Sequence, residues 1–189
     1  MRIVKIIIPC LLLNACIFGT SKNAEFYTLT PTDTPALSAD YVTFVGVNRV
    51  QLPKYVERPQ IVVQRKNSTQ VNISEYHRWV ESLSILATRV LTEDLSVLLP
   101  SAQIKQNRYK GEEFDRTVTV EIVNMDAVLG EKAEITAWYV VKDKADKVQI
   151  RNKFKRDVPV GKTYDELVQG YSQLLAELSQ EIAQRLIQK

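Results

Sequence analysis

The chain has 189 residues, 45% of them apolar and 25% charged, which is enough for one ordinary domain with a core of its own. A formal charge of +3 gives no case for a nucleic-acid partner, and a single histidine excludes metal sites built on a histidine pair.

The first stretch, MRIVKIIIPCLLLNAC, reads as a bacterial lipoprotein signal. Arg2 and Lys5 form a short positive region, Ile6 to Leu13 an apolar one, and Leu13-Asn14-Ala15-Cys16 a small-residue cleavage pattern ending in cysteine. The apolar run is too short to span a bilayer, which takes roughly 20 residues. Charge, apolar length and the cysteine agree on this reading over an ordinary secretory signal or a buried N-terminal strand. Residues 1–15 are therefore expected to be removed, leaving Cys16 as the lipidated first residue, 16–25 as its tether and 26–189 as a single domain. More than one acyl chain, at about 0.8 kcal/mol per buried CH2, holds a protein on a membrane stably. Ile17 stands where an aspartate would retain a lipoprotein in the inner membrane, so the periplasmic face of the outer membrane is expected. With Cys10 cleaved off and Cys16 lipidated, the domain keeps no free thiol, disulfide or cysteine metal site. Loss of Arg2 and Lys5 lowers the charge from +3 to +1.

Phe26 to Leu29 reads as a short strand, ended by the turn-rich Thr30 to Ala36. Tyr41 to Leu52 is extended, and a change of apolar phase near Gly46 predicts a bulge there. After the connection Pro53 to Pro59, Gln60 to Arg65 and Val71 to Ile73 form two more strands. Trp79, Leu83, Leu86, Val90, Leu91, Leu95 and Leu98 then recur at helical spacing, with Glu81, Arg89, Glu93 and Asp94 off the stripe; Ser74 is the expected N-cap and Pro100 the stop. Gln103 to Arg108, Arg116 to Ala127, Ala133 to Val141 and the segment around Val148 to Val158 are strands, with a hairpin turn at Gly130-Glu131-Lys132. Thr163 and Glu166 make a capping box for a last helix striped by Leu167, Tyr171, Leu174, Leu175, Leu178, Ile182 and Leu186. The pattern predicts an α+β fold, a mostly antiparallel sheet with two long amphipathic helices packed on one face.

Catalytic chemistry finds little footing. His77 is one candidate general base, without a cysteine to activate, and reads instead as a solvated first-turn helix residue. Glu112, Glu113 and Asp115 beside Arg108 and Lys110 read as a solvated loop. Lys147, Arg151, Lys153, Lys155 and Arg156 make one strand strongly basic, suited to solvation first and to anionic headgroups or an acidic partner second. Trp79 and Trp138 are expected in the core. No cofactor or metal is implied beyond the covalent lipid.

The segment Phe44 to Val62, FVGVNRVQLPKYVERPQIV, with Phe26-Tyr27-Thr28-Leu29 before it and Arg78-Trp79-Val80-Glu81-Ser82-Leu83 after it, resembles the PqiC/YmbA family, auxiliary lipoproteins of transport systems built on MCE proteins. Ser82 departs from the proline of many relatives, and Ile73 to Tyr76 is not the usual lead-in. The resemblance implies a non-catalytic outer-membrane lipoprotein that meets a periplasm-spanning MCE-domain protein, or other copies of itself, in a system moving lipid between membranes. Tyr55, Arg58, Pro59 and Gln60 are the candidate partner contacts, because two prolines stiffen a loop presenting interface-type residues; the same residues could only be fixing the start of a strand. The alternative is a periplasmic lipid carrier with its own pocket between helices and sheet.

Overall fold

The computed structural model describes residues 22–109 and 111–188, so Cys16 and the signal lie outside the described residues. The strands are β1 (Glu25–Tyr27), β2 (Phe44–Val47), β3 (Gln60–Gln64), β4 (Val71–Trp79), β5 (Gln103–Gln106), β6 (Arg116–Val128), β7 (Lys132–Asp143) and β8 (Val148–Pro159). Helix α1 (Leu83–Leu98) follows β4, and α2 (Tyr164–Ile187) follows β8. They form a three-stranded sheet in the order β1-β4-β3 and a five-stranded sheet in the order β5-β2-β6-β7-β8. The long β6-β7-β8 ladder and the β3-β4 pair are antiparallel. The short strands are not: β1 runs parallel to β4, and β2 runs parallel to both β5 and β6. The α+β fold stands, with mixed sheets instead of a uniformly antiparallel meander.

Alternation along β6 and β7 buries Val118, Val120, Ile122, Ile135, Ala137, Tyr139 and Val141 on the helix side, as their period of two requires. The α1 helix packs on β2 and β5, and α2 on β7 and β8. The Glu181 carboxylate of α2 accepts from Tyr139 Oη at 3.0 Å and Asn152 Nδ2 at 3.0 Å, pinning the helix to the sheet. The Thr163 capping box forms as expected, with Oγ1 accepting from the Glu166 N–H.

Three local expectations fail for physical reasons. No bulge occurs at Gly46; β2 stays in register with both neighbours and ends one residue later. Glycine is required there because a Cβ would lie 2.6 Å from the Phe114 ring, which covers the sheet's outer face. Ser74 caps no helix: residues 71–79 are strand, and α1 begins after Ser82. The four-residue step from Trp79 to Leu83 made strand and helix look continuous, although each residue is buried by a different element. Asp94, finally, is only 1% exposed. The α1 helix is covered nearly all round, and Thr88, Thr92 and Ser96 bond back to carbonyls four residues earlier.

Asp94 Oδ2 accepts from Ser179 Oγ of α2 at 3.1 Å, while Oδ1 has no hydrogen-bond partner among the described residues. Burial pushes this carboxyl up from 3.8 to about 6, against the pull of the Ser179 hydroxyl and the Thr32 amide. The folded state thus holds the proton more tightly than the unfolded one. Stability at this group is full below about pH 4 and is lost as pH rises through about 6. Between pH 5 and 7.5 urea titrations should show the wild type losing about 1.4 kcal/mol that an Asp94→Asn variant does not lose. Equal slopes in the two proteins would refute this. The window lies above the ordinary range of Glu25, Glu113, Glu134, Asp143 and Glu166, whose carboxyls are all held below their usual values.

Candidate docking site

The connection between β2 and β3 is fixed at three points. The Tyr55 hydroxyl donates to Asp126 Oδ1 at 2.8 Å and accepts from the Met125 N–H at 3.2 Å. It thereby takes over the edge of β6 just past the register shift between Ile122 and Asn124. Burial and the Asp126 carboxylate push the phenol up to about 12, so it stays protonated and able to donate. Val56 enters the core. Glu57 reaches the start of α1, where Ser82 Oγ and Ser84 Oγ, the latter at 3.0 Å, donate to its Oε1. Arg49 donates to the same two hydroxyls. The first turn of α1 has no acidic residue and its N-cap side chain makes no capping bond, so Glu57 supplies the negative group that a helix N-terminus favours. At the far end, the Pro59 carbonyl accepts from the Trp79 N–H at 2.7 Å.

These ties separate the four candidate contacts. Tyr55 faces β6 and its hydroxyl is committed to the fold. Arg58 and Pro59 face the other way, into a cleft of about 410 Å³ shared with Phe26 of β1, Arg78 and Trp79 of β4, and Val80 and Glu81 beyond it. Gln60 opens β3 opposite Arg78 and borders a neighbouring depression lined by Lys22, Ala24 and residues 73–76. Phe26 and Val80 stand at the cleft with 62% and 58% of their surface exposed. Neither was singled out in the sequence as a site residue, because both look like ordinary members of apolar runs.

The other candidates fall elsewhere. His77 sits on β4, its ring stacked 3.9 Å from Tyr164 and its Nδ1 2.9 Å from the Tyr27 hydroxyl and 3.4 Å from Glu25. It clips β1 to the start of α2 and is not a helix first-turn residue. Trp79 is buried as expected, but Trp138 is 38% exposed on the outer face of β7, with Arg151 and Lys153 over its ring at 5.6 and 5.9 Å. Of the basic strand, Lys155 pairs with Glu134 and Arg156 with Glu181. Glu112 pairs with Lys105 of β5 and Glu113 with Lys144 in the turn between β7 and β8. Among the described residues no cluster of three metal-ligating side chains exists, and no helix is long and apolar enough to cross a membrane.

Two helices packed on mixed sheets, with a prolyl loop walling an open cleft, define an α+β domain. The chain belongs to the family of ABC-type transport auxiliary lipoprotein components, whose model matches residues 27–183. The resemblance read in Phe26 to Leu29, Phe44 to Val62 and Arg78 to Leu83 is thus borne out. Membership makes the protein a transport-associated, membrane-anchored periplasmic lipoprotein. Two crystal structures share the fold. One, of an uncharacterized protein, has a TM-score of 0.72 at 20% identity, covering 87% of this chain and 99% of its own. The other, a Xanthomonas campestris protein of the DUF330 family, has a TM-score of 0.65 at 12% identity, covering 86% and 95%. No curated protein matches the chain by sequence.

Proposed function

We propose that this protein is a non-catalytic subunit of an MCE-type, Pqi-like lipid transport system, anchored through Cys16 in the outer membrane and docking the periplasm-spanning MCE-domain component. The loop that carries Tyr55, Arg58, Pro59 and Gln60 is the contact. The observation that supports it is the three-point fixation of that loop: a segment already held by Tyr55, Glu57 and Pro59 loses little conformational entropy on binding. Tagged full-length protein extracted from outer membranes should recover an MCE-domain partner, and deletion should raise envelope permeability to detergent. Recovery of no such partner together with unchanged permeability would overturn the reading.

The alternative, a carrier with lipid held between helices and sheet, finds no room at the junction of Val56, Ile61, Leu83, Met125 and Tyr171, where the void is about 10 Å³, the space of a single water. The wider opening of about 520 Å³ between α1 and the edge of β2 and β5 is lined mostly by polar and charged side chains, Arg49, Glu81, Thr88, Gln106, Asn107 and Arg108, which suits an acyl chain poorly.

A further inference from the structure

We infer that the cleft between Arg58 and Phe26 is a binding site for a small anionic amphiphile, a single phosphate or carboxylate group carried on an apolar body. The inference goes beyond the docking of a protein partner and concerns the same cleft.

The argument starts from Arg58. Its Nε is shut away from solvent without a hydrogen-bond partner, and its guanidinium makes no hydrogen bond or ion pair among the described residues. A buried donor left unsatisfied costs about 1–3 kcal/mol, more when charged, so such a group calls for an acceptor. Among the described residues the neighbouring acids do not supply one: Glu57 is committed to Ser82 and Ser84, and Glu81 stands exposed at the mouth without an ion pair. Arg78, which lines both this cleft and the neighbouring depression, uses its Nε on the Glu75 carbonyl and leaves its terminal nitrogens uncommitted among the described residues. Two guanidiniums thus border one cleft, and that fork geometry suits a carboxylate or phosphate.

The rest of the lining is mixed. Phe26, Pro59, Trp79 and Val80 supply its apolar part, Glu57 and Ser82 line it while bonded to each other, Glu81 stands at the mouth, and about 410 Å³ lies within the usual range of small-molecule sites. A peptide fits less well, because the main chain bordering the cleft is already used: the Trp79 N–H is bound to Pro59, the Val80 N–H to Tyr27 and the Arg58 N–H to Val56. An extended peptide would find few backbone partners here. An acyl or alkyl chain needs none. The location also favours a ligand drawn from a bilayer: Phe26 is ten residues beyond Cys16, at most roughly 35 Å of extended chain from the proposed lipid anchor. Glu81 at the mouth disfavours ligands with further negative charge at that end.

The test uses the mature chain carrying Cys16→Ser, with Trp138→Phe so that Trp79 in the cleft wall reports alone. Dodecyl phosphate and dodecanoate, below their aggregation concentrations, should change Trp79 fluorescence saturably and shift the Arg58 Nε–Hε resonance. Arg58→Gln should weaken binding about tenfold or more, the loss of one charge-assisted contact, and Phe26→Ala severalfold; inorganic phosphate and the uncharged dodecyl maltoside should bind far more weakly. Arg58→Lys and the resonance in the unsubstituted side chain keep the question open to test if Arg58→Gln fails to fold. Inorganic phosphate binding as tightly as dodecyl phosphate, an acidic peptide binding where the amphiphiles do not, or no saturable shift at Arg58 would each overturn the inference. None of these readouts involves the MCE partner, so their failure is separable from failure of the pull-down.

Discussion

With Cys16 replaced by serine, the protein is expected to leave the membrane fraction completely, to take up no labelled palmitate, and to remain folded. The reasoning combines the reading of the first sixteen residues with the fold. Two or more acyl chains, at about 0.8 kcal/mol per buried CH2, make attachment effectively all or none, and no helix among the described residues could replace them. Stability should be untouched, because among the described residues the first backbone pairing begins at Glu25 and the buried core begins at Leu29. A Cys16→Ser protein that still fractionates with the membrane and still incorporates palmitate would refute Cys16 as the lipidation site.

How much of the fold could be read in advance depended on whether one signal acted alone. The β6-β7-β8 ladder was legible because alternation of Val118, Val120 and Ile122 against Thr117, Thr119 and Glu121 has one cause, a single buried face. The α2 helix was legible because stripe and capping box agree. Segment 71–79 misled because two causes overlapped. Trp79 is buried as the last residue of a strand, Leu83 as the first of a helix, and their spacing of four mimics a helical turn. Asp94 misled for the opposite reason: periodicity assigns one face to a core, whereas α1 is covered on several sides. Parallel pairing of β1 and β2 has no local signature at all, since it is set by which distant strands meet.

The site was legible to a similar degree. Arg58, Pro59 and Gln60 were found because prolines mark a stiff connection. Tyr55, selected on the same ground, spends its hydroxyl on Met125 and Asp126, some seventy residues away, and no spacing rule reaches that far. Phe26 and Val80 were missed because exposure, which makes them notable, is invisible in composition.

The two tryptophans give the largest expected difference in stability. Trp79 is only 4% exposed, forms a wall of the cleft, and on its inner side borders the small void shared with Val56, Ile61, Val62, Leu83, Met125 and Tyr171. Truncating it to alanine removes the partition between cleft and core, and neighbours already fixed by Glu57, Tyr55 and the Trp79–Pro59 backbone bond cannot collapse into the gap. Loss at such a site falls at about 3–5 kcal/mol, or about 10 °C in Tm for a chain of this length. Trp138 lies on the open face of β7, where truncation leaves solvent instead of a void and removes the contacts of Arg151 and Lys153, worth about 0.5–1 kcal/mol each at exposed sites. Urea unfolding followed by far-ultraviolet circular dichroism should therefore separate Trp79→Ala from Trp138→Ala by at least about 1 kcal/mol. Near-equal midpoints for the two variants would mean that Trp79 does not join the prolyl loop to the core, and the rigidity assigned to the docking site would go with it.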